Sequence, residues 1–310
     1  MPDPSQSRDF YDERRRKWRR SAFWRGFGVA AAIAVVAGLW LGAGALAPGR
    51  AQIARIEVKG VITDDRKRDE MLAKIADDEA VRGVMLRINS PGGTTAGSEA
   101  LYASLRALAG KKPVVAVLSE VAASGGYVAA IGTDHIVARG NTLTGSIGVI
   151  MEYPDMTRVM ERIGVEMETV RSSPLKAEPS PFRETSPAAR AIEEALVAES
   201  YGWFRGLVAE RRGLGGAALD AVANGAVFTG RLALDNGLVD EIGGETEALA
   251  WLESREPGAA GLPVRDWEVE RDSSLVGSLL GQIGGRIASS GGILGEISLR
   301  PAPKLYSLAP

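Results

Sequence analysis

From residue 52 onward the chain alternates between two hydrophobic patterns. Short apolar runs are typical of buried strands, whereas apolar residues spaced three and four apart are typical of amphipathic helices. Strands that alternate with such helices favour parallel pairing through crossover helices, so we predict an α/β fold. The predicted strands are 53–62, 83–88, 113–118, 135–138, 147–151 and 165–170, and the predicted helices are 66–78, 96–109, one from about 124, 155–163, 188–212, 217–223 and 246–254.

The N-terminal part of the chain has a different pattern. Eight basic residues occur before residue 26, and the stretch 27–47 then carries no charge. As a helix this stretch would be about 31 Å long, enough to cross a hydrocarbon core. We predict a transmembrane anchor at 27–47, with the basic segment 1–26 in the cytoplasm by the positive-inside rule. The alternative is a signal peptide that is removed near Ala43-Gly44-Ala45.

Composition narrows the function classes. Hydrophobic residues make up 45% and charged residues 25%, as in ordinary globular proteins. The net charge of −2 argues against a dedicated nucleic-acid binder. The chain has no Cys and a single His, His135, which excludes thiolate chemistry and zinc sites built on several His. We expect no metal and no cofactor.

Two glycine-rich loops follow predicted strands. Residues 89–93, Asn-Ser-Pro-Gly-Gly, could bind phosphate or form half of an oxyanion hole, or could simply be a tight turn. Residues 121–127 contain Ser124 at a strand-to-helix turn. Catalytic and binding residues of parallel sheets lie beyond the carboxyl ends of the strands, so Ser124 is a candidate nucleophile. Its alternative role is a helix N-cap.

A serine nucleophile needs a base, and the sequence offers two candidates. His135 lies in a predicted strand and has no evident carboxylate partner, which disfavours it. Lys176 stands apart from the other lysines, in a loop that follows the predicted strand 165–170. A neutral lysine amine can act as a general base, although a solvated surface lysine is the alternative interpretation.

Four motifs in sequence order, and a further pair of stretches after them, resemble the short bacterial form of signal peptide peptidase A, a Ser/Lys protease family. The resemblance covers about residues 52–250, and Pro174-Leu175 before Lys176 departs from the smaller residues expected there. The segments are Ile88-Asn89-Ser90-Pro91-Gly92-Gly93, Ala122-Ala123-Ser124-Gly125-Gly126-Tyr127, Leu143-Thr144-Gly145-Ser146-Ile147-Gly148-Val149, Ser173-Pro174-Leu175-Lys176, and Phe228-Thr229-Gly230-Arg231 with Gly237-Leu238-Val239-Asp240.

This resemblance implies a ClpP/crotonase-like fold of repeated β-β-α units and a role for each matching residue. Ser124 matches the nucleophile and Lys176 the general base. Ser146 matches the hydroxyl that orients the lysine amine. Gly93 matches an oxyanion-hole donor, and Gly125 is the expected second donor. The peptidase domain would occupy 52–250, followed by a C-terminal extension at 251–310 that is a candidate part of the oligomer.

The same resemblance implies partners and a location. Family members are membrane-anchored homo-oligomers, with an octamer as a candidate, and their catalytic groups meet near subunit interfaces. Their substrates are signal peptides left in the membrane after preprotein cleavage. We therefore expect a single-pass protein of the bacterial inner membrane whose catalytic domain lies outside the cytoplasm. Two alternatives stay open: a crotonase-type acyl-CoA enzyme, and a ClpP-like membrane protease that acts on stomatin-like or other proteins.

Overall fold

A computed structural model describes residues 50–269. The predicted cytoplasmic segment 1–26, the predicted anchor 27–47 and most of the extension 251–310 lie outside the described residues. Within 50–269, no helix combines the length and the apolar character needed to cross a bilayer.

Three long parallel strands form the centre of the sheet. They are β1 (Gln52–Ile62), β2 (Val81–Gly93) and β3 (Val114–Ala123). Helix α1 (Arg66–Asp77) connects the first pair, and helix α2 (Thr95–Ala109) connects the second. Both pairings are parallel. The predicted α/β class with crossover helices is therefore confirmed for this part of the chain.

The remaining elements extend the sheet on both sides. They are α3 (Gly125–Ile131), β4 (His135–Ala138), β5 (Leu143–Gly145), α4 (Thr157–Ile163), α5 (Pro187–Arg212), α6 (Gly216–Val222), β6 (Val227–Thr229), α7 (Gly230–Asp235), β7 (Glu241–Ile242), α8 (Glu245–Arg255) and β8 (Val264–Trp267). In the described residues the sheet has eight strands. Six of them follow the order β6-β5-β3-β2-β1-β8, while β4 pairs with β3 and with β7. Within 50–269, only the pairing of β5 with β6 is antiparallel.

Helix α2 illustrates how the sequence forms these elements. The hydroxyl of Thr94 caps its start by accepting a 3.2 Å hydrogen bond from the N–H of Gly97. Leu101, Leu105 and Leu108 repeat at helical spacing and are all buried. This apolar stripe packs α2 into the core, so burial of the leucines rather than intrinsic propensity stabilises the helix.

Two predicted strands are wrong. The strand expected at 147–151 is replaced by β5, which ends at Gly145 because Ser146 adopts a φ of 50° and donates its N–H to Ala226. The stretch 165–170 alternates polar and apolar residues, yet it is no strand and its side chains are exposed. An alternating pattern of polar and apolar residues indicates a strand only where a neighbouring strand is available to pair with it. The short β6, β7 and β8 were not predicted, because two to four residues are too few to show a period.

The close pairing of β1 and β2 predicts that a side chain at Gly93 lowers the stability of the protein. A Cβ at this position would lie 1.8 Å from the carbonyl oxygen of Ile62, so Gly93→Ala must push the two strand ends apart. We expect a loss of about 1–3 kcal/mol in the free energy of unfolding. The matched control is Gly202→Ala inside α5, where a Cβ meets nothing within 4 Å; helix propensity predicts a gain of about 0.5–1 kcal/mol there. Denaturant unfolding of both variants checks this, and equal stabilities would contradict it.

Candidate active site

Ser124 stands at the turn between β3 and α3, in a backbone conformation that few non-glycine residues adopt. Its φ is 52° and its ψ is −121°. Its N–H donates a 2.9 Å hydrogen bond to the carbonyl of Gly145. It occupies the N-cap position of α3, but its hydroxyl makes no capping hydrogen bond, so the capping role is wrong for this side chain. A strained strand-to-helix turn of this kind leaves a serine hydroxyl free at the edge of the sheet.

The two glycine-rich loops approach so closely that side chains would not fit between them. A Cβ at Gly92 would lie 2.9 Å from the Gly125 nitrogen and 2.9 Å from Ser124 Cβ. A Cβ at Gly125 would lie 2.2 Å from Ser98 Oγ and 3.2 Å from the backbone nitrogen of Gly93. The backbones of Gly93 and Gly125 therefore share one small region next to Ser124.

Ser90 fixes the shape of the first glycine-rich segment, which is the end of β2 and not, as predicted, a loop that follows the strand. Its side chain is fully buried, and its Oγ donates a 2.6 Å hydrogen bond to the carbonyl of Gly60. The same Oγ accepts a 3.0 Å hydrogen bond from the N–H of Gly92. Gly92 has a φ of 110°, a conformation that strongly favours glycine. These bonds hold the loop against β1 and set the position of Gly93.

Ser146 is brought beside Ser124 by strand register. Ala123 of β3 pairs with Gly145 of β5, so Ser124 and Ser146 are the next residues along two neighbouring parallel strands. Both residues adopt left-handed φ values, and both line the same cavity. Four of the five predicted site residues thus come together in one place: Gly93, Ser124, Gly125 and Ser146.

The cavity at this place has a volume of about 1870 Å³. Its lining includes residues of the two glycine-rich segments, the stretch 146–155 and the long helix α5. Apolar side chains such as Val128, Ile147 and Phe204 contribute to the lining alongside the serine hydroxyls. A cleft of this size could take several residues of an extended peptide.

Lys176 lies elsewhere in the single chain. It is exposed, on a turn in which its N–H donates to the carbonyl of Ser173 at 3.2 Å. Among the described residues, those that line the Ser124 cavity do not include Lys176, although Ser180 and Arg183 of the following segment do. The structure of one chain therefore leaves the predicted base apart from the predicted nucleophile.

His135 is far from Ser124. It pairs with Val115 near the start of β3, nine residues before Ser124, which corresponds to about 25–30 Å along the strand. Its ring stacks on Trp251 at a centroid distance of 5.0 Å, and its Nε2 lies 3.3 Å from a carboxylate oxygen of Glu241. The expectation that His135 lacks a carboxylate partner is wrong. The pair is nevertheless at the opposite end of the sheet from the serine, and it cannot supply its base.

Tyr127 anchors the helix that follows Ser124. Its side chain is fully buried, and its hydroxyl donates a 2.8 Å hydrogen bond to the carbonyl of Leu238. Burial raises the pKa of the Tyr127 phenol well above its ordinary value, because desolvation disfavours the phenolate. The phenol therefore stays neutral and serves to fix α3 rather than to transfer protons.

Sequence reasoning missed Ser98, whose side chain is buried beside Gly125 and lines the cavity. Its hydroxyl donates a 2.9 Å hydrogen bond to the carbonyl of Thr94. Its position one helical turn after the cap of α2, just beyond the Gly93 loop, is the signal that could have identified it. Across residues 50–269, no group of three or more His, Asp or Glu side chains is arranged to hold a metal ion.

Comparison with known proteins gives the family. The model of peptidase family S49 matches residues 106–257. A protein of Synechocystis sp. whose name describes it as a protease is 39% identical over 203 residues, which cover 65% of this chain and 73% of that protein. Protease 4 of Haemophilus influenzae is 34% identical, over 74% of this chain but only 39% of its own length. A protein of Enterococcus faecium named for signal peptide peptidase SppA is 34% identical, over 64% of this chain and 62% of its own length.

A solved structure of a membrane-bound stomatin-specific protease gives a TM-score of 0.48 at 16% identity, over 72% of this chain and 100% of that chain. The sequence relatives are more informative, since they combine protease names with identities above 30%. These protease names are consistent with the structure, in which the hydroxyl of Ser124 makes no capping hydrogen bond and the residue lines a large cleft. The chain belongs to peptidase family S49 and is a serine-type peptidase similar to signal peptide peptidase A.

Proposed function

We propose that Ser124 is the nucleophile and Lys176 the general base of a Ser/Lys endopeptidase. The observation that carries this proposal is the uncapped hydroxyl of Ser124, held in a strained turn at the cleft. Ser124 Oγ attacks the scissile carbonyl while the neutral amine of Lys176 takes its proton. The amine then protonates the leaving amine as the C–N bond breaks. Water hydrolyses the acyl-enzyme by the same proton path and regenerates the serine.

The oxyanion of the tetrahedral intermediate is assigned to the N–H groups of Gly93 and Gly125. Their support is the close approach of the two loops next to Ser124. A donor of this kind contributes about 2.7–4 kcal/mol to the transition state. Glycine-rich loops at the carboxyl ends of parallel strands also support a ClpP/crotonase-like arrangement of β-β-α units.

We infer that the dyad is completed in a homo-oligomer, where Lys176 of one copy reaches Ser124 of another. The support is twofold. Lys176 is exposed and outside the cleft of its own chain. Large apolar side chains of the stretch 150–170, such as Ile150, Ile163 and Val170, are 79%, 63% and 103% exposed, which is typical of surfaces covered in an assembly.

The proposed substrates are signal peptides that remain in the membrane after preprotein cleavage. The printed name of one relative and the apolar lining of the cleft support this class. Full-length protein in detergent micelles should cleave a synthetic signal peptide within its apolar segment, as read by mass spectrometry, while Ser124→Ala should not. Cleavage of unfolded soluble proteins in preference to signal peptides would instead favour a membrane protease with another protein substrate. The alternative function as a crotonase-type acyl-CoA enzyme is not supported, because the family model that matches this chain is that of a peptidase family.

The proposed location is the bacterial inner membrane, with 27–47 as a single anchor and the peptidase domain outside the cytoplasm. The charge pattern of residues 1–47 is the support. Protease added to spheroplasts should digest the domain and spare a short N-terminal fragment. Protection of the large domain would reverse this topology.

Ser146→Ala should lower kcat about tenfold without unfolding the protein. Ser146 is the hydroxyl expected to direct the lysine amine, and loss of one orienting hydrogen bond to a general base costs about one power of ten. Steady-state kinetics on a chromogenic peptide measure the effect, and thermal unfolding controls for stability. Wild-type kcat would make Ser146 an ordinary turn residue.

The pH–rate profile distinguishes the two candidate bases. Turnover should rise with pH along an acidic limb, because a general base must be unprotonated to take the proton of Ser124. His135→Gln should leave this acidic limb where it is, because His135 lies at the other end of the sheet. The profile of kcat/KM in wild type and variant measures it. If the acidic side of the kcat/KM profile moves or disappears in His135→Gln, the general base is the imidazole of His135 and not Lys176.

A further inference from the structure

The segment that carries Lys176 is held by an ion cluster rather than by a hydrophobic core. Residues 172–177 are all exposed, so apolar burial contributes little to their order. In contrast, the Glu178 side chain, two residues after Lys176, is only 7% exposed. Arg171, before the segment, and Arg183, after it, both pair with the same Glu178 oxygen, and the Arg183 contact is 2.9 Å. We call these three residues the Glu178 clamp.

The Glu178 clamp also binds the backbone of the lysine segment. Arg171 donates a 2.9 Å hydrogen bond to the carbonyl of Pro174, in addition to its contact with Glu178. Arg183 donates a 3.0 Å hydrogen bond to the hydroxyl of Thr169. Both ends of the stretch 169–183 are thereby tied to its middle. Arg183 also lines the Ser124 cleft, so the clamp links the lysine segment to the wall of that cleft.

The backbone between Lys176 and Glu178 is conformationally restricted, so the position of Glu178 limits the position of Lys176. Ala177, between Lys176 and Glu178, has a φ of 61°, which is strained for a residue with a side chain. The N–H of Glu178 is directed to the carbonyl of Leu175 at 3.4 Å. A strained residue persists only where its surroundings hold it, and here the surroundings are the Glu178 clamp.

We propose that Glu178 is a positioning residue for catalysis: through Arg171 and Arg183 it holds the segment that aims the amine of Lys176. This inference rests on the proposed role of Lys176 as the base. The carboxylate is ionised in the clamp. Burial opposes its ionisation, but hydrogen bonds from the two arginines outweigh that effect and keep the pKa of Glu178 below its ordinary value. Loss of the charge would leave two half-buried guanidinium groups facing each other without their shared partner.

The test uses Glu178→Gln in the full-length protein with a chromogenic peptide. We expect kcat to fall about tenfold to a hundredfold, because small displacements of a catalytic group have effects of this size. KM should stay within about twofold, because Glu178 does not line the cleft and the substitution keeps Arg183, which does. Glu178→Asp, which keeps the charge, should recover part of kcat. The matched control is Glu70→Gln, which breaks an exposed pair with Arg66 and should behave as wild type.

Chemical rescue separates positioning from general damage to the fold. Lys176→Gly should be inactive and should regain measurable turnover with added methylamine. Adding Glu178→Gln to this variant should not lower the rescued rate, because the amine then comes from solution. An equal loss in the rescued reaction would assign Glu178 a structural role only and overturn the inference. Wild-type kcat in Glu178→Gln would overturn it too.

The outcomes also distinguish this inference from the proposed function. If Lys176→Gly is active without added amine, the Ser/Lys assignment fails and the role of Glu178 fails with it. If Lys176→Gly is inactive but Glu178→Gln is normal, only the positioning role fails. Should Glu178→Gln not fold, Arg171→Lys tests the same clamp. It keeps the charge but loses the guanidinium nitrogen that contacts both Glu178 and the carbonyl of Pro174, so kcat should fall and the amine-rescued rate should not. A normal kcat would contradict the proposal.

Discussion

Ser124→Ala and Lys176→Ala should each lower kcat/KM by a factor of about 10⁴ or more while leaving the fold intact. Nucleophile and base act as a unit, so the loss of either removes the acylation step, and the double variant should be little worse than either single one. Peptide cleavage and thermal unfolding are the two measurements. Lys74→Ala, which removes an exposed lysine from α1, is the matched control and should keep full activity.

A mixture of the two inactive variants tests where the lysine comes from. If Lys176 of one copy serves Ser124 of another, random co-assembly of Ser124→Ala with Lys176→Ala should restore about a quarter of the wild-type sites. Each variant alone should stay inactive. A co-assembled mixture without activity would place both groups of the dyad in one chain, contrary to the exposed position of Lys176 outside its own cleft.

Gly125→Ala should lower kcat/KM about a hundredfold, the size expected when one oxyanion donor is displaced. The added Cβ would lie 2.2 Å from Ser98 Oγ and 3.2 Å from the Gly93 nitrogen, so the two loops must separate. Because the closest atom is a side-chain oxygen, removing it should relieve most of the clash. Gly125→Ala combined with Ser98→Ala should therefore recover part of the lost activity.

The control for this pair is Ser98→Ala alone, which should keep most of the activity because its hydroxyl donates only to the carbonyl of Thr94. Steady-state kinetics of the three variants form a double-mutant cycle, and the account predicts a positive coupling between the two positions. Additive losses would mean that the clash at Ser98 is not what disables Gly125→Ala.

The sequence was sufficient for the elements with long, regular patterns. Strand β1 and helices α1, α2 and α5 have apolar repeats over ten or more residues, and each is predicted to within one residue of its bounds. Strands β2 and β3 are predicted only in part, because both continue five residues beyond their predicted ends at 88 and 118. The failures have a common cause. Strand β5 covers three residues and depends on a neighbour, while 165–170 has the pattern of a strand but no partner in the described part of the chain.

The site was predictable to the extent that it lies on strand ends. Ser124 and Ser146 meet because β3 and β5 pair in register, and Gly93 joins them from the end of β2. Their catalytic roles stay predictions. The place of Ser98 one turn after the cap of α2 is visible in the sequence, but its fit against Gly125 depends on a contact between residues that are distant in the chain. The Glu178 clamp depends on burial in an irregular loop, which the sequence does not show.

Covalent labelling with a fluorophosphonate probe, followed by peptide mapping, tests the Ser/Lys dyad most directly, because an activated serine displaces fluoride from the phosphorus without any peptide substrate. A Ser/Lys dyad predicts a single adduct on Ser124 in the wild-type protein. It also predicts labelling at least about a hundredfold slower in Lys176→Ala and unchanged in His135→Gln. An adduct on another serine, or wild-type labelling of Ser124 in Lys176→Ala, would contradict it.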